Sequence, residues 1–108
     1  MKIDLPKMHI IFEELLPATD EERGVYWFKS LRKDGIFIIL AFSIYQSYVD
    51  IIVHIDQKTV AVCLGLENCS EIRILDEEEK ILEMLLENNR KCYLSLLSNS
   101  IMQYSETK

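Results

Sequence analysis

The chain is predicted to be α+β: an antiparallel β-meander of about six strands with an N-terminal helix. Three observations lead there. Ile36–Tyr45 and Tyr48–Ile55 are strand-like apolar runs, and a connection centred on Gln46-Ser47 sets Ile44 opposite Val49, Phe42 opposite Ile51, Leu40 opposite Val53 and Ile38 opposite Ile55. Every pair on that face is apolar, so a one-residue slip would split the set across two faces. Asp56-Gln57 repeats the device and pairs Val53 with Val60, Ile51 with Val62 and Val49 with Leu64. Upstream, Met8, Ile11, Phe12, Leu15 and Leu16 fall at helical spacing.

In chain order, an irregular lead containing Pro6 opens onto that helix over Met8–Leu16, since proline is tolerated near a helix start. His9 on the same segment has no second ligand near it in sequence and reads as solvent-facing or capping. Pro17 and Thr19–Arg23 form a polar connector. Gly24–Lys33 reads as the strand before the meander, joined to it by the hairpin signal Asp34-Gly35. That turn pairs Val25 with Ile44, Trp27 with Phe42 and Leu31 with Ile38 on the dry face. Lys29, opposite Leu40, is then the misfit, and a lysine there suits an edge strand. The second face is mixed: Tyr26, Phe28, Phe37, Ile39, Ala41 and Ile52 at one part, Ser43, Tyr45, Tyr48, Asp50 and His54 at the other. A helix is expected over its apolar half. Tyr26, Tyr45 and Tyr48 form either a contact cluster or ordinary cross-strand neighbours.

Cys69–Leu75 is another strand, and the segment after it has two readings. As a second helix at 77–87, Asp76 is its N-cap, Glu79 completes a capping box, and acids crowd the first turn. As β, Leu82, Met84 and Leu86 alternate and Glu87-Asn88-Asn89-Arg90 is a hairpin loop, so that 80–86 and 91–97 pair in a mainly β chain. Propensity favours the helix; the tight Asn-Asn connection favours the hairpin. Cys92–Leu97 is a strand in both, and Ile101–Tyr104 is a last short one.

The 108 residues suit one domain, 1–108, large enough to bury a core without metal or disulfide. The N-terminus lacks the features of a signal peptide and no apolar run is long enough for a membrane span. Cytoplasmic localisation and three reduced cysteines (Cys63, Cys69, Cys92) are therefore expected. Charge is unevenly placed. Glu67 to Glu87 holds eight acids (Glu67, Glu71, Asp76, Glu77, Glu78, Glu79, Glu83, Glu87) against two bases, which is the whole formal charge of −6. Such a field disfavours nucleic acid and anionic membrane and favours a basic protein or a cation; the plainer reading is an acidic, soluble surface.

No catalytic motif is present. The cysteines lack zinc-site spacing, the three glycines build no phosphate loop, and Ser95 and Ser98 lack a nucleophile elbow. Strand alternation keeps Cys63 away from His54, so Asp50, His54 and Cys63 form no nucleophile-and-base set. No enzyme activity and no cofactor are expected.

The stretch Tyr26–Tyr104 resembles immunity proteins of bacterial contact-dependent growth inhibition systems. The resemblance lies in the Ser43-Ile44-Tyr45 to Val49-Asp50-Ile51-Ile52 hairpin and in Leu66-Glu67-Asn68-Cys69 leading into Ile72-Arg73-Ile74-Leu75-Asp76-Glu77. It continues in Cys92-Tyr93-Leu94-Ser95-Leu96-Leu97 followed by Ser100-Ile101. It implies a cytoplasmic protein that binds the C-terminal toxin domain of a large secreted effector, and many such toxins are nucleases. A carboxylate cluster suits a basic nuclease cleft. Asp76, Glu77, Glu78, Glu79, Glu83 and Glu87 are then the expected steering surface, with Tyr45 and Tyr48 as anchors and the Glu13, Glu14, Asp20, Glu21, Glu22 group as the alternative. The competing class is a small acidic adaptor, or a homodimer formed through the Trp27 edge.

Overall fold

Alternation along the long strands gives each of them one apolar face, and the chain buries those faces between two five-stranded sheets. The computed structural model describes residues 1–32, 34–98 and 100–106. Its elements are β1 (Lys2–Ile3), α1 (Leu5–Ile11), β2 (Glu14–Leu15), β3 (Val25–Leu31), β4 (Phe37–Ser43), β5 (Tyr48–His54) and β6 (Val60–Leu66). There follow β7 (Glu71–Asp76), β8 (Ile81–Leu85), β9 (Arg90–Ser95) and β10 (Met102–Glu106). One sheet has the order β2-β3-β4-β5-β6 and the other β1-β7-β8-β9-β10. The α+β class holds, with the expected meander distributed over two sheets. All described strand pairs are antiparallel except the short β1–β7 pair.

Ile38, Leu40, Phe42, Val49, Ile51 and Val53 of the first sheet share a core with Ile72, Leu82, Met84, Cys92 and Leu94 of the second. Fully burying one such Leu, Ile or Phe contributes about 1.5–3 kcal/mol. Helix α1 adds Met8 and Ile11 to the core, with Phe12 just beyond it. It is shorter and earlier than Met8–Leu16: Asp4 accepts the Lys7 N–H at its start, and Leu15 belongs to β2.

The expected face of β4 and β5 is the buried one, and β6 keeps the expected parity although its Val60 and Val62 stay exposed; the cross-strand partners are displaced by two residues. Phe42 lies opposite Val49 and Leu40 opposite Ile51, because a four-residue loop replaces the expected two-residue turn. In it the Ser43 hydroxyl accepts the Gln46 N–H, and Ser47 takes φ 57°. The same displacement brings Val53 opposite Val62 and Ile51 opposite Leu64. A shift of two preserves faces; a shift of one does not.

At β3 the shift is one, and this corrects the expected pairing. Tyr26 lies opposite Phe42, Phe28 opposite Leu40 and Ser30 opposite Ile38, so Tyr26 and Phe28 face the core. Val25, Trp27, Lys29 and Leu31 face outward. The extra residue is taken up where Arg32 N–H bonds the Ile36 carbonyl and Gly35 adopts φ 85°. The gain is aromatic: Tyr26, Phe28 and Phe42 stack at 5.5–6.2 Å between centroids. Lys29 is thereby relieved of the misfit and reaches Glu14 on β2, 3.8 Å away. No helix covers the outer face of this sheet among the described residues; Phe37 there is sandwiched between the His54 ring at 4.2 Å and Lys29 Nζ at 4.5 Å.

Segment 77–87 is not a second helix, and the hairpin alternative is the one adopted. Leu82, Met84 and Leu86 are buried, and β8 pairs with both β7 and β9. Asp76 Oδ1 accepts the N–H groups of Glu78 and Glu79, both at 3.0 Å, so the carboxylate expected to cap a helix closes a turn instead. Lys80 completes that turn with φ 53°.

Candidate interaction surface

The acidic residues from Asp76 to Glu87 separate into three places. Asp76, Glu77, Glu78 and Glu79 form the exposed β7–β8 turn, where Glu77 meets Lys7 at 3.0 Å. That partner raises the Lys7 pKa, first through its hydrogen bond and then through its charge.

Glu83 is different. It is 5% exposed in the middle of β8, with Arg73 and Tyr93 directly opposite on the neighbouring strands. Arg73 Nη1 is 3.8 Å and Lys91 Nζ 3.9 Å from its carboxylate. The Tyr93 hydroxyl donates to it, which holds that phenol above its ordinary pKa. Glu83 is therefore compensated within its own sheet and adds little to a long-range field.

Glu87 sits at the opposite end of β8, paired with Arg90 at 3.4 Å. It borders a cleft of about 600 Å³ lined by both sheets, with Tyr48, Asp50 and Gly65 on one side and Leu86, Arg90 and Tyr104 on the other. Glu67 and Asn68, in the crossover between the sheets, close it. Three carboxylates (Asp50, Glu67, Glu87) thus face one guanidinium, and Glu87 already holds it. Burial pushes the Asp50 carboxyl above its usual pKa, with no compensating charge or hydrogen bond among the described residues. Opposite it in register is Gly65, where an added Cβ would lie 3.3 Å from Asp50 Oδ1.

The three tyrosines do not assemble. Tyr26 is in the core, Tyr45 is 73% exposed in the β4–β5 loop against Gly24, and Tyr48 lines the cleft. The cleft was hidden in the sequence because Asp50, Glu67 and Tyr104 converge only through the crossover from one sheet to the other. In the alternative acidic group, Glu13 bonds Lys80, Glu14 pairs with Lys29, and Asp20 accepts the Arg23 N–H.

Among the described residues no group of three His, Cys, Asp or Glu side chains is placed to hold a metal ion. Cys69 and Cys92 are buried, and burial pushes the Cys69 thiol up to about 11; Cys63 is exposed on β6. The His54 Nδ1 is buried without a partner among the described residues. No described helix is long and apolar enough to cross a membrane.

No family model matches the chain, and no curated protein matches it. Among solved structures, the fold is similar to that of a chain in a contact-dependent growth inhibition toxin–immunity protein complex from Klebsiella pneumoniae 342. The two superpose with a TM-score of 0.74 over 98% of this chain and 95% of that one, at 8% sequence identity, a likeness of fold that extends through nearly the whole of both.

Proposed function

We propose that this chain is an immunity protein that binds a contact-dependent growth inhibition toxin domain and neutralises it by occlusion. The observation that carries the reading is the fold likeness over almost the entire length of both chains. Charge supports the inhibitor role within such a pair. A toxin that acts on nucleic acid needs a basic surface, whereas this chain has a net charge of −6, concentrated in 67–87. Occlusion needs no chemistry, only a surface that is ordered before contact.

The toxin is a basic protein of the nuclease class, met in the cytoplasm by the exposed Glu77, Glu78 and Glu79 as steering charges. Asp76 shapes their turn, while Glu87, Tyr48 and Tyr45 lie toward the cleft end as contact residues and Glu83 buttresses its sheet. Where the gene beside this chain's encodes a large exported protein, expressing the C-terminal domain of that protein tests the reading. Growth should stop without the chain and resume with it, and the two should co-purify. Arrested growth despite co-expression would overturn the reading.

A further inference from the structure

Of the four ends of the two sheets, one is long and undefended. Strands β1 and β2 have two residues each, and β10 carries the polar Gln103 and Ser105. Strand β6 has seven, Val60-Ala61-Val62-Cys63-Leu64-Gly65-Leu66, with no charge and no proline. It ends its sheet, so one row of its main-chain groups has no strand beside it among the described residues. Val60 and Val62 are 50% and 38% exposed. An edge of this kind is a template for strand addition unless something blunts it.

Its C-terminal end runs into the acidic cleft. Ala41, Asp50 and Gly65 form one cross-strand row on the outer face. The next position in that row belongs to whatever pairs with β6. Strands lie roughly 4.8 Å apart, so that position is about 10 Å from Asp50, within reach of an extended lysine or arginine. Gly65 presents no side chain in between. We propose that β6 accepts an extended segment of the partner protein as an added strand, and that a basic side chain opposite Gly65 crosses it to pair with Asp50. This rests on the partner-binding reading above and gives that partner a chemistry: an uncharged strand with one lysine or arginine near its end. Charge complementarity selects this occupant over a second copy of the chain, whose own β6 has no basic residue to offer.

Hydrogen exchange of the chain with and without the toxin domain proposed as its partner tests the inference. Alternate amides of β6 should slow at least ten-fold in the complex. Asp50→Asn, and separately Gly65→Val, should weaken binding roughly ten- to hundred-fold. Gly65→Ala and thermal melts guard against a folding defect in the valine variant. A complex in which β6 exchanges as before, or which both variants form normally, overturns the inference and leaves the immunity reading intact. Concentration-dependent β6 protection in the isolated chain overturns it in favour of self-association. No complex at all overturns both.

Discussion

Asp50 is where recognition and stability oppose each other. A carboxylate raised by burial is a cost to the folded state while ionised. Its folded pKa lies above the unfolded one, so the cost is fully present at neutral pH and is relieved as pH falls through the folded value. Asp50→Asn is therefore expected to raise the melting temperature of the isolated chain at pH 7. That advantage should shrink as pH is lowered through the carboxylate range, while binding of the proposed toxin partner suffers. Thermal melts of both proteins across pH check this; a variant less stable at pH 7 would mean that Asp50 is held by interactions the geometry lacks. At this scale, the sequence exposed which residues are acidic but not which remain uncompensated. Glu83 and Glu78 are alike in type, yet one is buried beside Arg73, Lys91 and Tyr93 and the other stands in water.

At the scale of elements, the faces of β4, β5 and β6 were legible because alternation fixes parity. Loop length was not, because side chains such as Ser43 and Asp56 choose it: Asp56 Oδ1 accepts the Lys58 and Thr59 N–H groups at 2.8 Å and lengthens the β5–β6 turn. At β3 the sequence offered two apolar faces, and the aromatic one won. The β7–β8 turn misleads for a related reason, since an aspartate followed by glutamates satisfies both a helix cap and an Asx turn. Tertiary burial of Leu82, Met84 and Leu86 decides between them. Asp76→Ala should accordingly cost about 1 kcal/mol in denaturant unfolding, because the exposed turn loses two hydrogen bonds that water replaces only in part. Asp76→Asn, which keeps an accepting oxygen, should cost less. Equal losses would mean that the charge, not the turn bonds, matters.

At the scale of the whole molecule, the acidic balance was legible from composition, and the fold is similar to that of a chain in a contact-dependent growth inhibition toxin–immunity protein complex. The arrangement of the acids was not legible. The exposed carboxylates at Glu77–Glu79 and the cleft at Asp50, Glu67 and Glu87 lie at different ends of β8, because β8 turned out to be a strand rather than a helix presenting one charged face. In the proposed complex, steering and anchoring are therefore expected to be separable. The first governs how fast partners meet and the second how long they stay. The most direct measurement is the association rate of the purified chain with the toxin domain proposed as its partner, followed by stopped flow across ionic strength. The account predicts a stoichiometric complex whose association slows steeply with salt, and about ten-fold slower, salt-insensitive association after lysine replacement of Glu77, Glu78 and Glu79. Absence of a complex, or a rate indifferent to both salt and the three replacements, would contradict it.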